Sequence, residues 1–132
     1  MTSEAFRNDP LFLRNQFEGE GTFQIPIVKK QHISLEQLKF IGYDHIKSDE
    51  RENKDSVVHF FLDDYKFEVL WNHPEPRLEK LKQYKAVLTP QYSLYTEMPI
   101  TLQIYNTFRN RWVGAYLQSN GIAVIPTMCW GE

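Results

Sequence analysis

The chain has one cysteine, Cys129, among 132 residues, so no disulfide can form within it. A lone thiol fits a reducing compartment and predicts a cytoplasmic protein. Neither sign of charge is in excess: 15 Lys and Arg stand against 17 Asp and Glu, for a formal charge of −2. That balance offers no basic face to a nucleic acid or an anionic membrane, and neither is expected as a partner. No apolar run approaches the roughly 18 residues of a membrane span, and residues 1–20 lack the apolar core of a secretory signal. The six glycines are scattered, so there is no phosphate-cradling loop, and no G-x-S-x-G motif surrounds Ser93. No cofactor and no metal is predicted from this pattern.

What is present is an apolar run, repeated. Ser56-Val57-Val58-His59-Phe60-Phe61-Leu62, Lys85-Ala86-Val87-Leu88-Thr89-Pro90 and Ile122-Ala123-Val124-Ile125-Pro126-Thr127 each read as a buried strand, with helical sequence between them. The expected fold is α/β, a short, mostly parallel βαβαβ sheet, partly barrel-like or open, with a mixed N-terminal arm. The length suits one domain over residues 1–132, divided into a docking arm (1–21), an irregular part (22–55, with a charged loop at 45–55) and the βαβαβ unit (56–132).

Local signals refine this. Asp9-Pro10 can start a short helix, and Gly19-Glu20-Gly21 reads as a turn. Thr22–Ile27 reads as an edge strand because it contains Pro26. Ser34-Leu35-Glu36-Gln37 has the spacing of a capping box, and Lys39–Tyr43 reads as a short strand. Pro74 and Pro76 must split the first crossover helix into pieces near 64–72 and 75–84. The second crossover helix starts at Pro99 and stops at Asn120-Gly121. Ile100, Ile104, Phe108 and Ala115, widened by Leu102, Tyr105, Trp112 and Tyr116, form its expected core stripe.

In parallel βα folds a ligand sits at the carboxyl ends of the strands. That places Asp63, Asp64 and Glu68 after the first strand, Thr89, Gln91 and Ser93 after the second, and Thr127, Cys129 and Glu132 after the third. The three carboxylates are the weak catalytic candidates. Adjacent aspartates also cap helix N-termini, which is the plainer reading. His59 and Asp63 fall on one face by alternation, without a further ligand of suitable type. Trp71, Tyr92, Tyr95, Arg109, Arg111 and Trp130 are the candidate binding residues. Arg109 and Arg111, beside Asn106 and Asn110, could hold an acidic partner or phosphate, or form a solvated face.

The order of words Val58-His59-Phe60-Phe61-Leu62-Asp63-Asp64-Tyr65, Leu70-Trp71-Asn72, Leu88-Thr89-Pro90, Met98-Pro99, Tyr105-Asn106-Thr107, Gly114-Ala115, Val124-Ile125-Pro126-Thr127 and Trp130 resembles the domain of unknown function 4417 family, over about residues 23–132. That family occurs in bacteria, archaea, phages and mobile elements. The resemblance implies no activity. Family members usually carry an aspartate where Gln91 stands, and they run past the position of Trp130. The chain is therefore expected to correspond to the front part of a longer domain.

Taken together these readings predict a phage or mobile-element accessory protein in a bacterial host cytoplasm, acting by protein–protein interaction and modulating (inhibiting or triggering) a host defence system. The expected partner is another protein chain, host or defence, or a second copy joined at an open sheet edge, because so short a layer has little of its own to cover its second face. The alternative is a βα-type hydrolase using Asp63 and Asp64, with Arg109 or Arg111 steadying an anionic substrate.

Overall fold

A computed structural model describes residues 9–34, 39–46 and 55–127. Four parallel strands form one sheet in chain order: β3 (Lys39–Gly42), β4 (Ser56–His59), β5 (Ala86–Leu88) and β6 (Val124–Ile125). A separate antiparallel pair, β1 (Gly19–Glu20) with β2 (Ile25–Pro26), precedes it. The helices are α1 (Pro10–Leu13), α2 (Glu68–Asn72), α3 (Leu78–Leu81) and α4 (Ile100–Ser119).

The expected α/β fold is thus present, with one strand more than the three apolar runs announce. β3 pairs along its whole length with β4, Lys39 opposite Ser56 through Gly42 opposite His59. Its sequence, Lys-Phe-Ile-Gly, lies within the short strand expected at Lys39–Tyr43, and parallel pairing to the Val-rich β4 holds it in the sheet. The three predicted strands are shorter than the runs that contain them. Gly19-Glu20 belongs to β1, and the turn lies after it, with Gln24 donating its N–H to the Gly21 carbonyl at 3.1 Å. The predicted capping box at 34–37, most of the charged loop at 45–55, and Cys129, Trp130 and Glu132 lie outside the described residues.

Register sets the two faces of the sheet. Ile41, Val58, Val87 and Val124 are aligned across it and pack with Leu70, Leu81, Trp112, Val113 and Leu117. Both crossovers therefore cover the same face, as consecutive right-handed connections require. Each fully buried Leu or Val here contributes on the order of 1.5–3 kcal/mol. On the opposite face Val57, Ala86 and Leu88 form a second, smaller cluster with Ile33, Ala123 and Ile125 packed on it. That face is not bare: Val57 and Ala86 have no exposed surface. Exposure is concentrated at its margins, on Phe40 of β3 and on Phe61 beyond β4.

The outer edge of β6 is also occupied. Val124 N–H donates to Gln31 Oε1 at 2.7 Å. Gln118 Nε2 donates to the Lys29 carbonyl (2.7 Å) and to Gln31 Oε1 (3.1 Å), and Lys29 N–H returns a bond to Gln118 Oε1 (2.8 Å). One side-chain amide, that of Gln31, takes the place of a neighbouring strand at Val124, and Gln118 holds the Lys29–Gln31 segment beside it. Among the described residues no strand pairs the outer edge of β3 or that of β6.

In the described part of the N-terminal arm, Leu11 and Phe17 pack against the core. Asp9 caps α1 through Leu11 N–H at 2.9 Å, Pro10 opens the helix, and Arg14 ends it in a left-handed turn at φ 56°. Arg14 then lies over the rings of Trp71 (3.7 Å) and Trp112 (4.3 Å) and donates to the Trp71 carbonyl at 2.7 Å. The break after α2 falls where Pro74 dictates. α4 ends before Asn120-Gly121, with Gly121 at φ 85°.

Its 20 residues make α4 about 30 Å long. Gly114 lets it lie close on the sheet: a Cβ there would sit 2.6 Å from Thr89 Cγ2 and 2.8 Å from Val28 Cγ2. The core stripe holds over its second half, where Trp112, Val113, Ala115 and Leu117 are buried. Over its first half the expectation is reversed. Gln103, Asn106, Arg109 and Asn110 point inward, while Ile100, Leu102 and Tyr105 are 52%, 47% and 45% exposed.

Candidate functional site

The reversal has a local cause. The loop after β5 (residues 89–98) brings backbone carbonyls and hydroxyls against α4, and buried polar groups must be hydrogen-bonded. Amides on the helix therefore face the loop, and apolar side chains take the outside.

Two polar webs result at the carboxyl ends of the strands. In the first, Asp64 accepts from Ser93 N–H and Ser93 Oγ, both at 3.0 Å. Asn106 Nδ2 donates to the Ser93 carbonyl (2.7 Å), and its Oδ1 accepts from Arg109 Nε (3.2 Å) and Nη2 (2.7 Å). Arg109 Nη1 reaches both oxygens of Glu68 at 3.0 and 2.9 Å. The guanidinium also lies 3.9 Å from the centre of the Tyr92 ring. The web closes a ring from the loop after β4, through the loop after β5 and α4, back to α2. Burial, the dominant effect, pushes the Tyr92 phenol well above the ordinary tyrosine range; Arg109 opposes this, and Glu68 and Asp64 reinforce it.

In the second web each proton has one place to go. Thr127 N–H donates to Thr89 Oγ1 (2.8 Å), and Thr127 Oγ1 donates to the Thr89 carbonyl (3.0 Å). Thr89 Oγ1, 2.9 Å away, then donates to Thr127 Oγ1. Asn110 Nδ2 donates to the Pro90 carbonyl (2.6 Å) and to Thr127 Oγ1 (3.1 Å). The ends of β5 and β6 are locked together and tied to α4. Asn110 Oδ1 and the Tyr92 hydroxyl remain buried without a partner.

Beside both webs is a cavity of about 130 Å³, lined by Gln91, Asn106, Thr107, Asn110, Arg111 and Thr127, with Tyr92 and Leu94.

The candidate residues divide accordingly. Neither aspartate caps a helix: Asp63 makes no capping bond, and Asp64 is held by Ser93 instead. Asp63 is exposed. Glu68, Tyr92 and Arg109 share the first web. Trp71 is half-buried, edge-on to Trp112 with ring centres 5.5 Å apart. Tyr95 is exposed on the loop. Arg111 is half-buried at the cavity and makes no hydrogen bond or ion pair among the described residues. Trp130 lies outside the described residues. His59 stacks on Phe61 at 5.3 Å and accepts from its N–H; among the described residues no group of His, Cys, Asp and Glu gathers to hold a metal. Also among the described residues, no helix is long and apolar enough to cross a membrane.

Sequence reasoning passed over Gln103 and placed Asn106 and Asn110 only as neighbours of arginines. The signal was available: amides at 103, 106 and 110 recur at helical spacing, a polar stripe of its own.

A parallel α/β sheet in chain order, helices on one face and polar webs at its carboxyl ends, is the class these features define. The profile of the family described as Domain of unknown function (DUF4417) matches residues 17–132, and the chain belongs to that family. It is similar to the Gene 1 protein of Mycobacterium phage L5, 43% identical over 122 residues, covering 92% of this chain and 53% of that protein. It is also similar to the Gene 1 protein of Mycobacterium phage D29, 51% identical over 74 residues, covering 56% of this chain and 27% of that protein. The chain thus spans about half the length of the L5 relative and less of the D29 one. No solved structure matches it.

Proposed function

We propose that this chain is a phage accessory protein that works in the host cell by binding another protein chain. The observation that supports it is the first half of α4, where Ile100, Leu102 and Tyr105 are turned outward while amides and an arginine fill the inside. Tyr95 and Tyr65 add exposed rings on the adjoining loops. Exposed aromatic and aliphatic groups of this kind are the anchors of protein interfaces. In its finer form, the reading makes the partner a component of a host defence system; phage relatives support that choice.

The hydrolase reading is weaker on this geometry. Asp64 and Glu68 are engaged by Ser93 and Arg109, so neither is free to move a proton. Asp63 is exposed, with Lys66 as its charged neighbour.

The test is a photo-crosslinking residue placed at Leu102 or Tyr95 in the full chain, expressed in the host, with Ser119 as control position. One protein species should crosslink at 102 and 95 and not at 119, and Leu102→Glu should abolish its recovery. Equal or absent crosslinking at all three positions refutes the proposal.

A further inference from the structure

We infer that the cavity beside Arg111 is a binding site for one oxyanion group, a carboxylate or phosphate, held by the Arg111 guanidinium and the Gln91 side-chain amide.

Apart from Asn110 Oδ1, a buried acceptor without a partner, the other polar side chains along this stretch of α4 are committed. Arg109 is taken by Glu68 and Asn106. Asn110 Nδ2 is taken by Pro90 and Thr127, and Thr107 Oγ1 donates to the Gln103 carbonyl at 2.9 Å. Arg111 alone carries a charge with no acceptor. Burial strips part of its water, and desolvation lowers its pKa from the ordinary value with no charged neighbour to compensate. A guanidinium so placed is a standing cost that an oxyanion relieves, through short charge-assisted bonds in fixed fork geometry. Gln91 makes no side-chain hydrogen bond and lines the same cavity, so its amide supplies a second free donor.

The walls fix the sign of the guest. Among the described residues no aspartate or glutamate lines the cavity, and the formal charge there is the positive one on Arg111. Size fixes its scale. At roughly 30 Å³ per water, 130 Å³ holds about four waters. That is room for one carboxylate or phosphate group. The position, beyond the carboxyl ends of β5 and β6, is where open parallel sheets place ligands.

Two sources could supply such a group, a free small anion or an acidic side chain on a bound protein, and the experiment separates them. The full chain is titrated at low salt with inorganic phosphate, with succinate, and with N-acetyl-glutamate amide, whose only charge is a side-chain carboxylate. Binding is read by calorimetry and by the Arg111 Nε–H resonance. At least one probe should bind saturably at one site and shift that resonance. Arg111→Ala should weaken binding at least about tenfold. Gln91→Glu keeps the guanidinium but sets a carboxylate against it, and should weaken binding as much without lowering the thermal melt. Lys30→Ala, on the exposed segment before β3, should change nothing. Preference for phosphate or succinate assigns a free anion; preference for the glutamate amide assigns a partner's side chain. Absence of saturable binding by all three probes, or binding by Arg111→Ala and Gln91→Glu as tight as by the unaltered chain, overturns the inference. Neither result depends on the outward face of α4, so this test and the crosslinking test fail separately.

Discussion

Removing Glu68 should destabilise the protein more than removing Arg109, although the two are bonded to each other. The Arg109 side chain is 10% exposed and that of Glu68 36%. Arg109→Met leaves a carboxylate that water can reach, plus an unpaired Asn106 Oδ1 and a lost stack on Tyr92. Charged hydrogen bonds contribute about 1.5–3 kcal/mol and the stack about 1; partial rehydration of Glu68 returns some of this, leaving a cost of about 2 kcal/mol. Glu68→Leu leaves the deeper charge unpaired, and a guanidinium cannot shed its proton. Breaking a buried pair this way costs about 3–5 kcal/mol, and the lower end applies because Asn106 Oδ1 still accepts two of its N–H groups. The double variant replaces both charges with apolar groups and should lose about 2–3 kcal/mol, well below the sum of about 5. Urea unfolding measures all three. With a slope of about 2 kcal/mol per molar, the midpoints should fall by about 1 M for Arg109→Met and about 1.5 M for Glu68→Leu. A Glu68→Leu cost under about 1 kcal/mol, or strict additivity in the double variant, would refute the argument that the pair is coupled and unevenly buried.

Tyr92→Phe should be neutral or stabilise by up to about 1 kcal/mol at pH 7, because it removes a buried hydroxyl with no partner. It should also flatten the alkaline limb of the stability curve. The folded-state pKa of Tyr92 is raised, so below the unfolded value of about 10 its ionisation takes nothing from stability, and above it stability falls as the unfolded chain ionises first; unfolding titrations from neutral to alkaline pH compare the two proteins. Gly114→Ala should cost about 1–3 kcal/mol by overpacking, outweighing the helix gain of about 1, since the new methyl meets Thr89 and Val28; a raised melting temperature would contradict the close approach. Gln31→Ala should cost about 1 kcal/mol and speed hydrogen exchange at the Val124 amide, whose acceptor it removes; unchanged exchange would count against the edge bond.

The parallel strands were legible because buried strands must be apolar on both faces, and Val57-Val58, Ala86-Val87-Leu88 and Val124-Ile125 are. Pro74 and Gly121 marked helix boundaries through backbone constraints that no tertiary contact can override. The first half of α4 was misread because periodicity assumes that apolar residues face inward. There the loop from Thr89 to Met98 outbids them with carbonyls and hydroxyls that need donors, and only the fold brings that loop to the helix. The same holds for Asp64: its partner is 29 residues away, so the nearer reading as a helix cap prevailed. The Gln31 and Gln118 bonds at β6 left no trace in the sequence, since a glutamine that mimics a strand looks like any exposed glutamine. Of the candidate site, Arg109 and Arg111 were found together, but their division of labour, one structural and one free, depends on which carboxylate lies within reach.

The glutamines beside β6 behave as a latch. A true neighbouring strand must be peeled away residue by residue before another can replace it. A side-chain amide lets go by rotating about a few of its own single bonds, with the main chain left where it is. Lengthening the layer at that margin therefore demands no prior melting, only an incoming backbone that offers Val124 a better carbonyl than Gln31 does.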